Sequence, residues 1–224
     1  MVELKKEALV GALNPDIDSK SRQRFETSFH GLAYQKQYCE FHLEEYKKAC
    51  QNHDLAMHGE LNNKEQIDPQ YYRVAFESHS YAFFRCLHAL IESVPYMLNI
   101  ILEFNPEIEG RYIGWGTLKK YSESHDFNDG TILINEIRQS QSYLELEHLV
   151  NVSKHRRIPR IDSGVFKQSI SQYNKPEFSS EDLCIEFRNY NVEYLMIELY
   201  NELFPNIISL VNCFISFHGI DKKF

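Results

Sequence analysis

The stretch Asp68-Pro-Gln-Tyr-Tyr-Arg-Val-Ala-Phe-Glu-Ser-His-Ser-Tyr-Ala-Phe-Phe-Arg-Cys-Leu-His-Ala-Leu90 decides the fold class of this chain. Apolar or semi-polar residues recur in it at alternating steps of four and three: Tyr72, Phe76, His79, Phe83, Cys86 and Leu90. The series continues through Met97, Ile101 and Phe104. That spacing lays them along one face of a helix with 3.6 residues per turn. Asp68 supplies a side-chain cap and Pro69 a first-turn proline, so the helix is expected over about 69–104, stopped by Asn105-Pro106. Pro95 removes one backbone donor and is expected to kink it.

The same period extends outward in both directions. Upstream, Phe25, Phe29, Leu32, Cys39, Leu43, Tyr46, Cys50, His53 and Met57 predict a helix over about 24–61, after a polar leader at 1–22 and before a stop at Leu61-Asn62-Asn63. Downstream, Gly110, Gly114 and Gly116 mark a loop around Trp115, and residues 117–123 stay open between loop and short helix. A third helix is expected from about Thr131 to Arg156 on the stripe Ile134, Ile137, Gln141, Leu144, His148, Asn151 and His155, with Pro159 beyond its end. Residues 165–173 and 183–187 alternate apolar with polar around Asn174-Lys175-Pro176. They predict a β-hairpin, with a helix from near Ser180 as the alternative. The last helix, about 191–217, carries Leu195, Leu199, Leu203, Ile207, Leu210, Val211 and Phe214, and Pro205 lies inside it. The expected fold is all-α: an antiparallel bundle of four long helices with a small hairpin between the third and last. One domain spans 1–224, with 160–190 as the hairpin insertion.

Composition excludes several classes of function. Of 224 residues, 43% are hydrophobic and 25% charged, as in ordinary globular domains. The formal charge of −8 excludes broad coating of nucleic acid or anionic membrane, so any RNA site must be local. Five cysteines, an odd number without a C-x-x-C pair, indicate neither zinc knuckle nor disulfide framework. A reduced, cytoplasmic protein is expected, because the N-terminus lacks the apolar run of a signal peptide. No membrane association is expected, as no stretch approaches the roughly 20 apolar residues that span a bilayer. Glu145-Leu146-Glu147-His148 supplies one Glu-x-x-His motif, but a carboxylate-bridged metal bundle needs two, so no metal is expected. No Walker-type loop is present and no cofactor is expected.

The informative segment is His148-Leu-Val-Asn-Val-Ser-Lys-His-Arg-Arg-Ile-Pro-Arg160. Lys154, Arg156, Arg157 and Arg160 put four positive charges into seven residues without an acid, leaving −12 for the rest of the chain. Cations complement the dipole at a helix C-terminus, which is the bland explanation. Capping does not account for the polar stripe of Gln141, His148, Asn151 and His155. Turned toward a bundle interior, these groups need partners or work; turned outward, they suit a protein interface.

Asn151-x-x-Lys154-His155-Arg156 at the end of the third helix, followed by a hairpin and a last helix, resembles the HEPN superfamily, in particular bacterial members with an N-x-x-K-H-R segment there. The resemblance implies an α-helical bundle, often a homodimer. It also implies a metal-independent ribonuclease or RNA-binding effector of toxin–antitoxin or phage-defence systems, restrained by an antitoxin or regulatory protein. The superfamily's ribonuclease signature is an Arg followed after four to six residues by His. His155 matches the histidine, whereas the residue four positions earlier is Asn151. By this resemblance His155 is the base, with Asn151 and Arg156 beside it, and Lys154, Arg157 and Arg160 on phosphate. His148, Arg85, His88 and Glu92 are expected to support them. The literal pairs Arg24/His30 and Arg73/His79 both lie near helix starts, as spacings that arise by chance, and Arg73/His79 is a minor alternative. Against the RNA reading stands a non-catalytic helical module in which the basic segment and polar stripe form a dimer or partner interface. The nuclease reading expects His155, Asn151 and Arg156 to line a concave surface.

Overall fold

The computed structural model describes residues 6–61, 68–107, 109–110, 112–163 and 176–221. These residues are mostly helical, and their only sheet has two strands, so the class is all-α. The elements are α1 (Lys6–Ala12), α2 (Ser19–Met57), α3 (Pro69–Leu102), α4 (Trp115–Ser124), α5 (Asn128–Gln139), α6 (Gln141–His155), β1 (Ile161–Asp162), β2 (Glu177–Phe178), α7 (Ser180–Leu183) and α8 (Val192–Asp221).

Side-chain caps fix most of the long boundaries. Asp18 opens α2, its Oδ1 accepting the Lys20 and Ser21 N–H groups at 2.9 Å each, while the Ser21 hydroxyl donates to Oδ2. These bonds hold the Asp18 carboxyl below its ordinary pKa. Asp68 caps α3 through the Gln70 N–H at 2.9 Å, as expected. Asn99 closes α3 by accepting the Asn105 N–H at 2.7 Å and donating to the Asn105 carbonyl. Asn191 opens α8 by accepting the Tyr194 N–H at 3.0 Å.

Four expectations need correction. Residues 6–12 of the expected leader form α1, with Leu9, Ala12 and Leu13 buried. The first long helix ends at Met57 and not at Leu61, because Gly59 takes a left-handed φ of 70° and the Glu60 N–H returns to the Leu55 carbonyl at 2.9 Å. The expected third helix is two. Ser140 has an extended ψ of 144°, and its Oγ accepts the Tyr143 N–H at 3.1 Å, so it ends α5 and caps α6. The expected second hairpin strand, 183–187, is not a strand: α7 ends at Leu183 and Cys184 turns left-handed at φ 62°. The pairing observed is antiparallel between β1 and β2, Ile161 opposite Phe178 and Asp162 opposite Glu177. The expected first strand, 165–173, lies outside the described residues.

The chain divides into two compact units. The first comprises Met1–Gln35, Ala89–Leu144 and Asn201–Phe224. Within it, Phe127 stacks on Phe217 at 4.0 Å and meets Phe214 edge-on at 5.0 Å. Glu92 accepts hydrogen bonds from Trp115 Nε1 at 2.8 Å and Tyr143 OH at 2.7 Å. The second comprises Lys36–His88 and Glu145–Tyr200. Tyr46 meets Phe76 edge-on there, and Phe178 touches both Tyr81 and Phe84.

Candidate functional site

The candidate surface is the C-terminal end of α6, in the second unit. The inward positions of α6 are Glu145, Leu146, Leu149, Val150 and Val152, all buried. Asn151, Lys154, His155 and Arg156 are exposed, as are Arg157, Ile158 and Arg160. The polar stripe therefore faces outward at Gln141, Asn151 and His155. His148 is half-buried, and its Nε2–H donates to the Leu183 carbonyl at 2.6 Å, which fixes the tautomer and makes it a strut between α6 and α7.

The chain leaves α6 on a fixed path. The Arg156 and Arg157 N–H groups both return to the Val152 carbonyl, at 3.0 and 3.1 Å. Pro159 is buried, and its carbonyl accepts the Tyr81 hydroxyl. Burial, with Glu77 and Asp182 nearby, pushes the Tyr81 pKa up, so this hydroxyl stays a neutral donor. Arg73 donates to the Ile161 carbonyl at 3.1 Å. Asp182 of α7 accepts the Arg160 N–H at 2.9 Å, while the Asp182 carbonyl and Cys184 Sγ hold the Arg157 guanidinium at 2.5 and 2.9 Å.

The cations consequently divide. Arg157 is tied to α7, and Arg85 reaches the Ser153 carbonyl at 3.4 Å. Lys154, Arg156 and Arg160 form no ion pair among the described residues. Three unpaired cations and an exposed imidazole on a tethered turn make a surface able to hold phosphate groups. The recesses of about 620 and 550 Å³ in the first unit contain none of these residues.

The expected supporting residues belong to both units. Arg85 lies at the α6 terminus, and His88 is half-buried on α3 in the same unit. Glu92 belongs to the first unit, engaged by Trp115, Tyr143 and Arg138. In neither literal pair does the Arg bond the His: Arg73 pairs with Glu77 and holds the Ile161 carbonyl, while His79 meets His42; Arg24 pairs with Glu109, and His30 with Glu26.

Glu145, weighed in the sequence only as part of a metal motif, has a structural role there unforeseen. Glu145 is fully buried, and its carboxylate accepts the Arg188 N–H at 2.8 Å and the Arg188 guanidinium at 3.3–3.4 Å. Its phase was visible, since Glu145 lies on the stripe of Leu149 and Val152, four and seven residues on. No group of three or more His, Cys, Asp or Glu among the described residues is placed to hold a metal. Burial pushes the Cys39 thiol up and the Cys50 thiol up to about 12, so both stay protonated. No described helix is long and apolar enough to cross a membrane.

Compared with family models, curated proteins and solved structures, the chain matches none.

Proposed function

We propose that the end of α6 binds the phosphates of single-stranded RNA and that this chain is a HEPN-like effector in which His155 serves as general base of a metal-independent ribonuclease. One observation carries the reading: Lys154, Arg156 and Arg160, exposed and without an ion pair among the described residues, flank the exposed His155 in sequence where α6 ends, ahead of a turn anchored by Tyr81, Arg73 and Asp182. In this chemistry imidazole takes the proton of a 2′-hydroxyl, and the resulting alkoxide attacks the adjacent phosphorus. The 5′-oxygen leaves with a proton from water, giving a 2′,3′-cyclic phosphate. Arg156 and Lys154 offset charge on the phosphorane, and Asn151, one turn before His155, contacts ribose or the ring. The reading includes an antiparallel four-helix bundle, a homodimer, a cytoplasmic setting in toxin–antitoxin or phage defence, and restraint by an antitoxin or regulatory protein.

A second reading rests on Ile158, 66% exposed in the middle of the basic segment. An apolar side chain ringed by cations suits a protein partner with an acidic rim, and in that case the module is non-catalytic.

The experiment incubates tag-free protein with labelled single-stranded RNA in chelator, beside His155→Ala and the double variant Lys154→Ala/Arg156→Ala. Cleavage by wild type and its loss in His155→Ala support the nuclease. Three unpaired cations predict a salt slope of about −2 for single-stranded RNA, falling to about −0.7 in the double variant. Salt-dependent binding without cleavage leaves an RNA-binding protein. Absence of both removes RNA, and Ile158→Asp then tests the interface.

A further inference from the structure

The second unit holds two imidazoles that the α6 surface does not use. His42 on α2 and His79 on α3 bring their Nδ1 atoms to 3.0 Å, with ring centroids 5.3 Å apart. Phe41 stands edge-on to both rings, at 5.3 Å from His42 and 6.1 Å from His79. Both histidines are half-buried on long helices, so their approach is set by backbone that does not shift freely. Two imidazole lone pairs at this distance repel unless a positive centre lies between them. That centre is a proton in an N–H···N bond, or a metal ion bound by both rings in their Nε2–H tautomers.

We infer that His42 and His79 form a two-point site for a divalent transition-metal ion of the Cu²⁺ or Ni²⁺ class. At a metal–imidazole distance of about 2.0–2.1 Å, nitrogens 3.0 Å apart subtend about 91–97° at the metal. That is the angle between neighbouring corners of a square-planar or octahedral shell, which these ions favour. A tetrahedral ion such as Zn²⁺ needs a separation of about 3.3 Å for the same bond lengths. The acids flanking His42 on α2 are engaged by lysines, Glu40 by Lys36 at 2.5 Å, Glu44 by Lys47 at 3.1 Å and Glu45 by Lys48 at 2.7 Å, so the protein supplies two ligands and water the others. Burial, with His79 opposite, holds the His42 pKa below its ordinary value, which favours the neutral ligand form. The ion bridges α2 to α3, and its binding stabilises the folded chain by mass action.

The test titrates Ni²⁺ calorimetrically into the tag-free full chain at mildly alkaline pH, beside His42→Gln, His79→Gln and the control His58→Gln. His58 is exposed on the Asp54 carbonyl, away from the pair. The expected result is one ion per chain, with affinity reduced roughly tenfold or more in His42→Gln and in His79→Gln and unchanged in His58→Gln. The rise in thermal midpoint with Ni²⁺ disappears in the same two variants. Helical content of each metal-free variant is recorded first, and His42→Asn replaces one that does not fold. No Ni²⁺ binding by wild type, or binding that survives both substitutions, overturns the site.

Discussion

Removing the Glu145 carboxylate tests the internal anchor of the candidate surface. Glu145→Ala deletes a fully buried acceptor and leaves the Arg188 N–H without its 2.8 Å partner, which costs about 1–1.5 kcal/mol. The guanidinium contacts at 3.3–3.4 Å are long, and Arg188 is 40% exposed, so water recovers much of their loss; about 1 kcal/mol remains. The expected total is about 2–2.5 kcal/mol, which for a chain of 224 residues lowers the thermal midpoint by about 4–10 °C. Glu145→Gln retains the acceptor for the N–H and loses about 1 kcal/mol. Urea unfolding followed by circular dichroism reads both, with the denaturant slope required to stay constant. A loss below about 0.5 kcal/mol for Glu145→Ala refutes the claim that this bond network anchors residues 183–188 to α6.

Three further perturbations probe other parts of the fold. Asp126 sits left-handed at φ 53° after α4, where the Phe127 N–H returns to the Ser122 carbonyl at 2.9 Å; Asp126→Gly is expected to add about 0.5 kcal/mol, the left-handed relief of about 1 less the acid's favourable position before α5, read by thermal melting. At Gly130 an added Cβ meets the Phe127 ring at 2.5 Å and Ser122 Oγ at 2.8 Å, so Gly130→Ala is expected to cost about 1–3 kcal/mol in urea unfolding. Burial chiefly, then Arg73, lowers the His53 pKa against the opposing pull of Asp54 and Glu77. The unfolded chain then binds more protons as pH falls through about 6.5, so this contribution is fully present above that pH and declines below it; urea midpoints from neutral to mildly acidic pH are expected to fall less steeply in His53→Gln than in wild type.

The long apolar stripes made α2, α3 and α8 legible, because a period of 3.6 sustained over many turns has no other reading. Seven residues of α1 are too few to show a period. The break at Ser140 left no trace in the stripe, since Ile137, Gln141 and Leu144 keep phase across it. The extended ψ of Ser140 and the short-range bonds of its hydroxyl, to the Ile137 carbonyl and from the Tyr143 N–H, separate α5 from α6. The basic segment was equally legible as charge, but its direction was not. Counting Gln141, His148, Asn151 and His155 as one stripe identifies a face without saying whether it points inward, and the adjacent stripe of Glu145, Leu149 and Val152 takes the interior. Glu145 was weighed only as a metal-motif acid, and its buried role stayed hidden because its partner, Arg188, lies 43 residues away in sequence.

Two acids, Asp182 of α7 and Glu145 of α6, shape the chain around the basic segment without neutralising its cations. Asp182 has two neighbours in the basic segment: its carboxylate takes the backbone of Arg160, and its carbonyl takes the side chain of Arg157. Glu145 occupies Arg188 from the interior. Each acid therefore fixes the path of the chain and consumes no charge from Lys154, Arg156 or the Arg160 side chain. Were helix-end capping the sole role of these cations, only the last turn of α6 would require them, because the dipole's influence falls off within one turn. Lys154 satisfies that requirement within the helix, whereas Arg160 follows the buried Pro159 and adjoins β1, beyond the reach of the α6 carbonyls. A positive charge held there on fixed backbone, with no ion-pair partner among the described residues, is better matched to a polyanion arriving from solvent than to the helix behind it.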